Sequence, residues 1–304
     1  MMKKTKTIFP LFILILFFSC AKDSINKKDV DNKNSVITSK NTSTQNLNIS
    51  FLLDLSDRIN PQKYPNESME FYQRDIAYIK SVSEAFDTHL RNKRVRQMND
   101  KIQLFFDPAP LNENINKISN QLKYNVYKDN INLELLDNIK ETYTKKPIEI
   151  YDLAIKDNSY VGSDTWRFFK NKIKDFCIED DHRNILVILT DGYIFHKNTQ
   201  IKEDNYTSYL TPQIIRKFRL NSSNWEEKIE KEKYGFIPAT DHLESLEILV
   251  LGINPDKKNS YEQDVIVKYW SNWFKSMKVI KYNIKSAGLP SNMDKIIKDF
   301  ILAK

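Results

Sequence analysis

The sequence predicts an α/β fold: a doubly wound, mostly parallel central sheet with helices on both faces. Two runs carry most of that prediction, residues 184–190 (NILVILT) and 246–253 (LEILVLGI). Each is short and dominated by Leu, Ile and Val, the composition of a strand buried on both of its faces. The third observation is alternation. Runs of this kind are separated by stretches with apolar residues at helical spacing, and strands joined through helices form parallel sheets covered on both sides.

The elements follow in order. Residues 48–54 (NISFLLD) read as the first strand. Over 67–93, Met69, Tyr72, Ile76, Ile79, Val82, Ala85, Phe86 and Leu90 recur at helical spacing. Residues 102–106 are a second strand. Residues 112–122 and 133–155 hold helical material, the latter expected to break near Pro147, because an interior proline removes a donor and clashes with the preceding turn. Residues 165–178 are a further helix, and 184–190 the central strand. The stretch 193–243 departs from the pattern. It is polar, with helix-like pieces at 212–218 and 225–233, and is expected either as an insertion on the ligand-facing edge or as a small separate subdomain. After the strand at 246–253 come an amphipathic helix (261–277, with Trp270 and Trp273 as packing residues beside Val267 and Phe274), a strand (279–284) and a closing helix (292–302).

The first residues carry a different message. Lys3, Lys4 and Lys6 precede an apolar run, 8–18, broken only by Pro10. That run is too short for a comfortable permanent span and fits the h-region of an export signal. It ends in Phe17-Phe18-Ser19-Cys20. A small residue just before a cysteine at the end of an h-region resembles the lipobox of bacterial lipoproteins; Phe17 departs from it, since Leu is more usual there. The resemblance implies cleavage before Cys20, lipid on its thiol, and a membrane anchor of two or three acyl chains. It places the protein in the cell envelope, at the outer membrane, on its periplasmic or its surface face. An ordinary export signal with a chance cysteine, or an uncleaved N-terminal anchor, is the competing reading. Residues 21–46 have no aromatic and few apolar residues, too little to offset ordering entropy, and read as a tether. The chain therefore divides into a signal (1–19), a lipidated cysteine with tether (20–46) and a folded domain (47–304) holding the 193–243 insertion.

Composition narrows the function. The chain has 47 Lys and Arg against 40 Asp and Glu, a net of +7; without the three lysines of the signal the net falls to +4. The excess is dispersed, with no basic stripe interleaved by aromatics, which argues against a nucleic-acid partner. With Cys20 lipidated, Cys177 has no disulfide partner, and its apolar helical setting marks it as a packing thiol rather than a nucleophile. His89, His182, His196 and His242 are the only histidines and show no metal-ligand spacing. Glu179-Asp180-Asp181 reads as a solvated turn. In the insertion, Tyr206, Tyr209, Trp225 and Tyr234 form either a contact surface or a small core of its own.

In a doubly wound sheet, ligands sit beyond the carboxyl ends of the strands. The first strand runs into Asp54-Leu55-Ser56-Asp57-Arg58, and the central strand into Thr190-Asp191-Gly192. In this order and setting the two turns resemble those of the von Willebrand factor A (vWA) family, in which D-x-S-x-S and T-D-G belong to a metal-ion-dependent adhesion site. The resemblance implies a binding module that grips a protein or envelope partner with its top face. It implies Mg²⁺, or Mn²⁺ or Ca²⁺, held by Asp54, Ser56 and Asp191, with a threonine from the loop before the preceding helix. Thr165 is the first candidate for that ligand and Ser163 the second. A hard divalent ion wants oxygen ligands and keeps some waters. Arg58 departs from the pattern where the family has its second serine. A guanidinium has donors only and cannot ligate a cation. Either Arg58 points away and leaves a weaker site completed by water, or it takes the metal's place and bridges Asp54 and Asp191. The bland alternative is that these Asp and Ser residues only cap helices and close turns.

Two rivals belong to other classes. One is an α/β hydrolytic enzyme of the phosphoesterase kind. Haloacid-dehalogenase-type hydrolases resemble D-x-D-x-T after the first strand, but Ser56 fills the place of the second acid, and no G-x-S-x-G appears for a serine hydrolase. The other is a solute-binding lipoprotein, for which no two-lobed pattern is visible. A non-enzymatic binding module is the expectation.

Overall fold

Leu47, Ile49, Phe51 and Leu53 of the first strand fall into one buried cluster, while Leu52 falls into another. That split follows from the period of two along a strand and requires a sheet covered on both faces. The computed structural model describes residues 45–256 and 258–303. The signal, Cys20 and nearly all of the tether lie outside the described residues. The described residues belong to one compact unit.

In chain order the elements are β1 (Asn46–Leu53), α1 (Phe71–Arg91), β2 (Asn99–Phe106), α2 (Glu113–Gln121), β3 (Tyr124–Tyr127), α3 (Leu133–Asp157), α4 (Thr165–Asn171), α5 (Ile173–Cys177) and β4 (His182–Leu189). Then come β5 (Lys202–Glu203), β6 (Tyr206–Thr207), α6 (Pro212–Lys217), α7 (Trp225–Glu232), β7 (Gly235–Phe236), β8 (Leu246–Ile253), α8 (Glu262–Ser276), β9 (Lys281–Ser286) and α9 (Pro290–Leu302). The main sheet has the order β3-β2-β1-β4-β8-β9. All its pairs are parallel except β2 with β3. From β1 the chain winds outward through β2 and β3, then returns to β4 on the other side. The switch point is therefore the crevice between the carboxyl ends of β1 and β4.

α1, α3 and α9 cover one face, where Phe51, Ile79, Phe86, Tyr143 and Ile297 share a core. α4, α5 and α8 cover the other with Phe168, Phe169, Trp270 and Trp273. The two tryptophans are fully buried, as their spacing predicts. The insertion has no core of its own: Ile215, Leu220, Ile229 and Phe236 join the same cluster, and the Phe236 ring lies 5.3 Å from that of Trp273. Of its four noted aromatics, Trp225 and Tyr234 pack against this cluster and Tyr206 is exposed. Among the described residues no helix is long and apolar enough to cross a membrane.

Two local expectations need correction, and one strand has no counterpart among them. α3 runs through Pro147 unbroken. Leu136, Ile139, Tyr143, Pro147, Ile150 and Tyr151 lie buried on one side of it, and that packing outweighs the lost hydrogen bond. The single helix expected at 165–178 is two, parted at Lys172, whose backbone leaves the helical region. β3 has no signature in the sequence, because only Val126 of its four residues is buried and no alternation results.

Candidate functional site at the carboxyl ends of β1 and β4

Asp54 leaves β1 with its N–H still on the ladder, donating to Leu189 O at 3.0 Å. The side chain is buried. Its Oδ1 accepts the Ser56 N–H (2.9 Å), closing the turn, and its Oδ2 accepts the Thr190 hydroxyl (2.9 Å). The threonine of T-D-G thus ties the end of β4 to the carboxylate at the end of β1.

The turn after Ser56 is one short 3-10 segment, Asp57–Ile59. It sends Arg58 back beneath the strand ends, where it is only 5 % exposed. Nε donates to Asp54 O (3.1 Å), and Nη2 donates to Leu189 O (3.0 Å) and to Asp75 Oδ2 (2.5 Å). Nε also lies 3.5 Å from Asp54 Oδ2. Asp75 comes from α1 and is itself buried; the Tyr151 hydroxyl of α3 donates to its Oδ2 at 2.9 Å. Burial opposes charge on Arg58, but the carboxylates of Asp75 and Asp54 outweigh it and hold the guanidinium pKa above its ordinary value.

This corrects the expected bridge. Arg58 does turn inward, but its second carboxylate is Asp75, and among the described residues it makes no ion pair or hydrogen bond with Asp191. Asp75 is absent from the apolar positions that mark the helix in the sequence. The signal was there: Asp75 precedes Ile79 by four residues and Val82 by seven, a charge set on the buried stripe.

Asp191 stands at the end of β4. Its Oδ1 accepts the Tyr193 N–H (3.0 Å), and its carbonyl accepts the Asn254 N–H beyond β8 (2.9 Å). Burial and the nearby Asp54 charge push its carboxyl up to about 7, against the pull of Arg58. Gly192 then turns the chain with φ +100°; a Cβ there would meet Ile266 at 2.6 Å and Ile253 at 2.8 Å. Only glycine meets both demands.

Ser163 follows Gly162, and its backbone exchanges two 3.0 Å hydrogen bonds with Phe195 of the insertion. Thr165 opens α4 and is buried, with its hydroxyl 3.4 Å from that of Ser163. Ser56, Arg58, Ser163 and Asp191 meet on one cleft of about 780 Å³, with Tyr193 and Phe195 on the insertion side. Asp54 and Thr165 are not among its lining residues. The cleft lies within the usual size range of ligand sites.

This donor set does not fit a divalent ion. Such an ion needs several free oxygens in near-octahedral array. Each oxygen of Asp54 already accepts a hydrogen bond, and the Arg58 guanidinium, fixed on the strand-end carbonyls with Nε 3.5 Å from Asp54 Oδ2, sets a positive charge where a cation would have to bind.

No protein-family model and no curated protein matches the chain. Among solved structures, it is similar to the conserved hypothetical protein BatB from Bacteroides thetaiotaomicron, at 10% identity and a TM-score of 0.38, over 84% of this chain and 97% of that one. It is also similar to the pilus adhesin SpaC from Lactobacillus rhamnosus GG, at 8% identity and a TM-score of 0.41, over 84% of this chain and 30% of the adhesin. Neither likeness assigns a role to any residue of this chain.

Proposed function

We propose that this chain is a lipid-anchored lipoprotein of the cell envelope whose vWA-like domain binds a protein or envelope partner in the cleft at the carboxyl ends of β1 and β4. One observation carries the reading: Ser56, Arg58, Ser163 and Asp191, from three separate segments of the chain, line a single cleft at the switch point of a doubly wound sheet. The anchor is read from Ser19-Cys20 at the end of the apolar run. A tether from Cys20 would enter the domain at Asn46, the start of β1, whereas the cleft lies at the end of β1. That arrangement suits a face presented away from a membrane.

The enzymatic rival has less support. A carboxylate nucleophile must reach its substrate, and Asp54 is buried and does not line the cleft. Cys177 is no better a nucleophile: it is buried, and loss of solvation pushes its thiol up to about 12.

Photo-crosslinking in intact cells tests the reading. A photoreactive phenylalanine replaces Phe195, which is exposed and lines the cleft, or Tyr127, exposed at the opposite end of the sheet. A discrete adduct from position 195 and none from 127 is expected, with the protein in the membrane fraction. Cys20→Ser should leave uncleaved precursor or release soluble protein. Equal adducts from both positions, or none from 195, would remove the cleft as the binding face; unchanged partition of Cys20→Ser would remove the anchor.

A further inference from the structure

We infer that Arg58 is a built-in cation, positioned by Asp75 and Tyr151, and that the top face of this domain works without a divalent ion. The inference deepens the binding-face reading above, but its measurements are of metal and stability and do not depend on a partner.

Leu53 and Leu189 are the last residues of β1 and β4; Leu189 O accepts the last β1–β4 bond, from the Asp54 N–H, and Asp54 O lies just past it. Arg58 donates to both carbonyls, to Asp54 O through Nε and to Leu189 O through Nη2. A single side chain therefore holds together the two strand ends that frame the crevice. The same guanidinium lies beside the Asp54 carboxylate. It thus neutralises charge at the place where a bound ion would otherwise be needed, with a cation that cannot dissociate.

A buried guanidinium needs both a counter-charge and acceptors for its N–H groups. Asp54 is a poor sole counter-charge, because the Ser56 N–H and the Thr190 hydroxyl already draw on it. Asp75 supplies the rest at 2.5 Å, from a different element. Tyr151 steadies Asp75 from a third. Asp75 and Tyr151 are positioning residues: they set where Arg58 stands, and Arg58 faces the cleft. Nη1 has no hydrogen-bond partner among the described residues. A partner group meeting Arg58 must therefore be a hydrogen-bond acceptor taken directly by N–H groups. A metal would bind the same oxygen through an exchanged water site, with a different geometry and a different response to chelators.

The test uses the full-length chain in detergent, with Mn²⁺ as the probe. Mn²⁺ binding is followed by electron paramagnetic resonance, and thermal unfolding is measured in EDTA and in millimolar Mn²⁺. The wild type should take up no stoichiometric Mn²⁺ and unfold at the same temperature in both buffers. Arg58→Ser leaves Asp54, Asp75 and Asp191 together without a cation. It should unfold at a lower temperature in EDTA, recover in Mn²⁺, and bind Mn²⁺ at least about tenfold more tightly than the wild type, given the size of a unit-charge interaction at such distances. If Arg58→Ser does not fold, Arg58→Ser/Asp75→Asn is read in its place, since it removes both members of the pair and should fold. Stoichiometric Mn²⁺ on the wild type that Asp191→Ala abolishes would overturn the inference, whichever variants fold. So would an Arg58→Ser protein as stable in EDTA as the wild type. Loss of the Phe195 crosslink with metal indifference intact would remove the binding face alone; Mn²⁺ uptake with the crosslink intact would remove this inference alone.

Discussion

Asp75→Ala is the most direct perturbation of the buried pair. In the folded protein it deletes the carboxylate 2.5 Å from Arg58 Nη2 and leaves the Tyr151 hydroxyl without its acceptor. Removing one partner of a buried ion pair typically costs ~3–5 kcal/mol, because the remaining charge is left without compensation. Asp54, with Oδ2 3.5 Å from Arg58 Nε, remains, so the lower part of that range is expected, about 3 kcal/mol. Against a total stability of ~5–15 kcal/mol for an ordinary domain, the variant should still fold but with a clearly lower urea midpoint. Trp166, Trp270 and Trp273 are buried in one core, so tryptophan fluorescence reports the transition. The slope against urea should not change, since the surface exposed on unfolding does not. Tyr151→Phe alone removes one hydrogen bond to a charged group, worth ~1.5–3 kcal/mol. In the Asp75→Ala background the same change should cost almost nothing, because the hydroxyl has already lost its carboxylate. An Asp75→Ala variant within about 1 kcal/mol of the wild type, or fully additive double-mutant effects, would show that Arg58 does not depend on Asp75.

Two further outcomes follow from the site. Asp191 has a folded-state pKa pushed up to about 7, above the ordinary value of an unfolded aspartate, so its contribution favours the fold at low pH and is lost as pH rises towards 7. Asp191→Asn should therefore raise the melting temperature relative to the wild type at pH 8 more than at pH 4, and an equal shift at both would count against the burial and the Asp54 charge as its cause. Gly192→Ala should lower stability by about 2 kcal/mol or more, combining left-handed strain with a Cβ 2.6 Å from Ile266 and 2.8 Å from Ile253; a neutral Gly192→Ala in urea unfolding would refute the geometry of the turn.

Much of the molecule was legible in the chain. A strand's side chains alternate and a helix's recur every three to four residues, so apolar runs such as 184–190 and 246–253 declare buried strands wherever they fall in the fold. Thr190-Asp191-Gly192 was legible as a motif, because the resemblance to the vWA T-D-G turn rests on three consecutive residues at the end of a strand that the apolar run already marks. Legibility ended where the partner is distant in sequence. Arg58 was visible as a departure, yet nothing local says which carboxylate it meets. Asp75 lies 17 residues away and Tyr151 76 residues beyond Asp75, and only the packing of α1 and α3 on one face of the sheet brings them together. Pro147 and the 193–243 insertion teach the same lesson: a local rule predicted a break and allowed a separate subdomain, and a shared core decided otherwise. Sequence by itself determined which residues are apolar, which are charged and where the chain can turn. Tertiary structure decided which charge answers which, because a buried charge is settled by whatever the fold packs beside it.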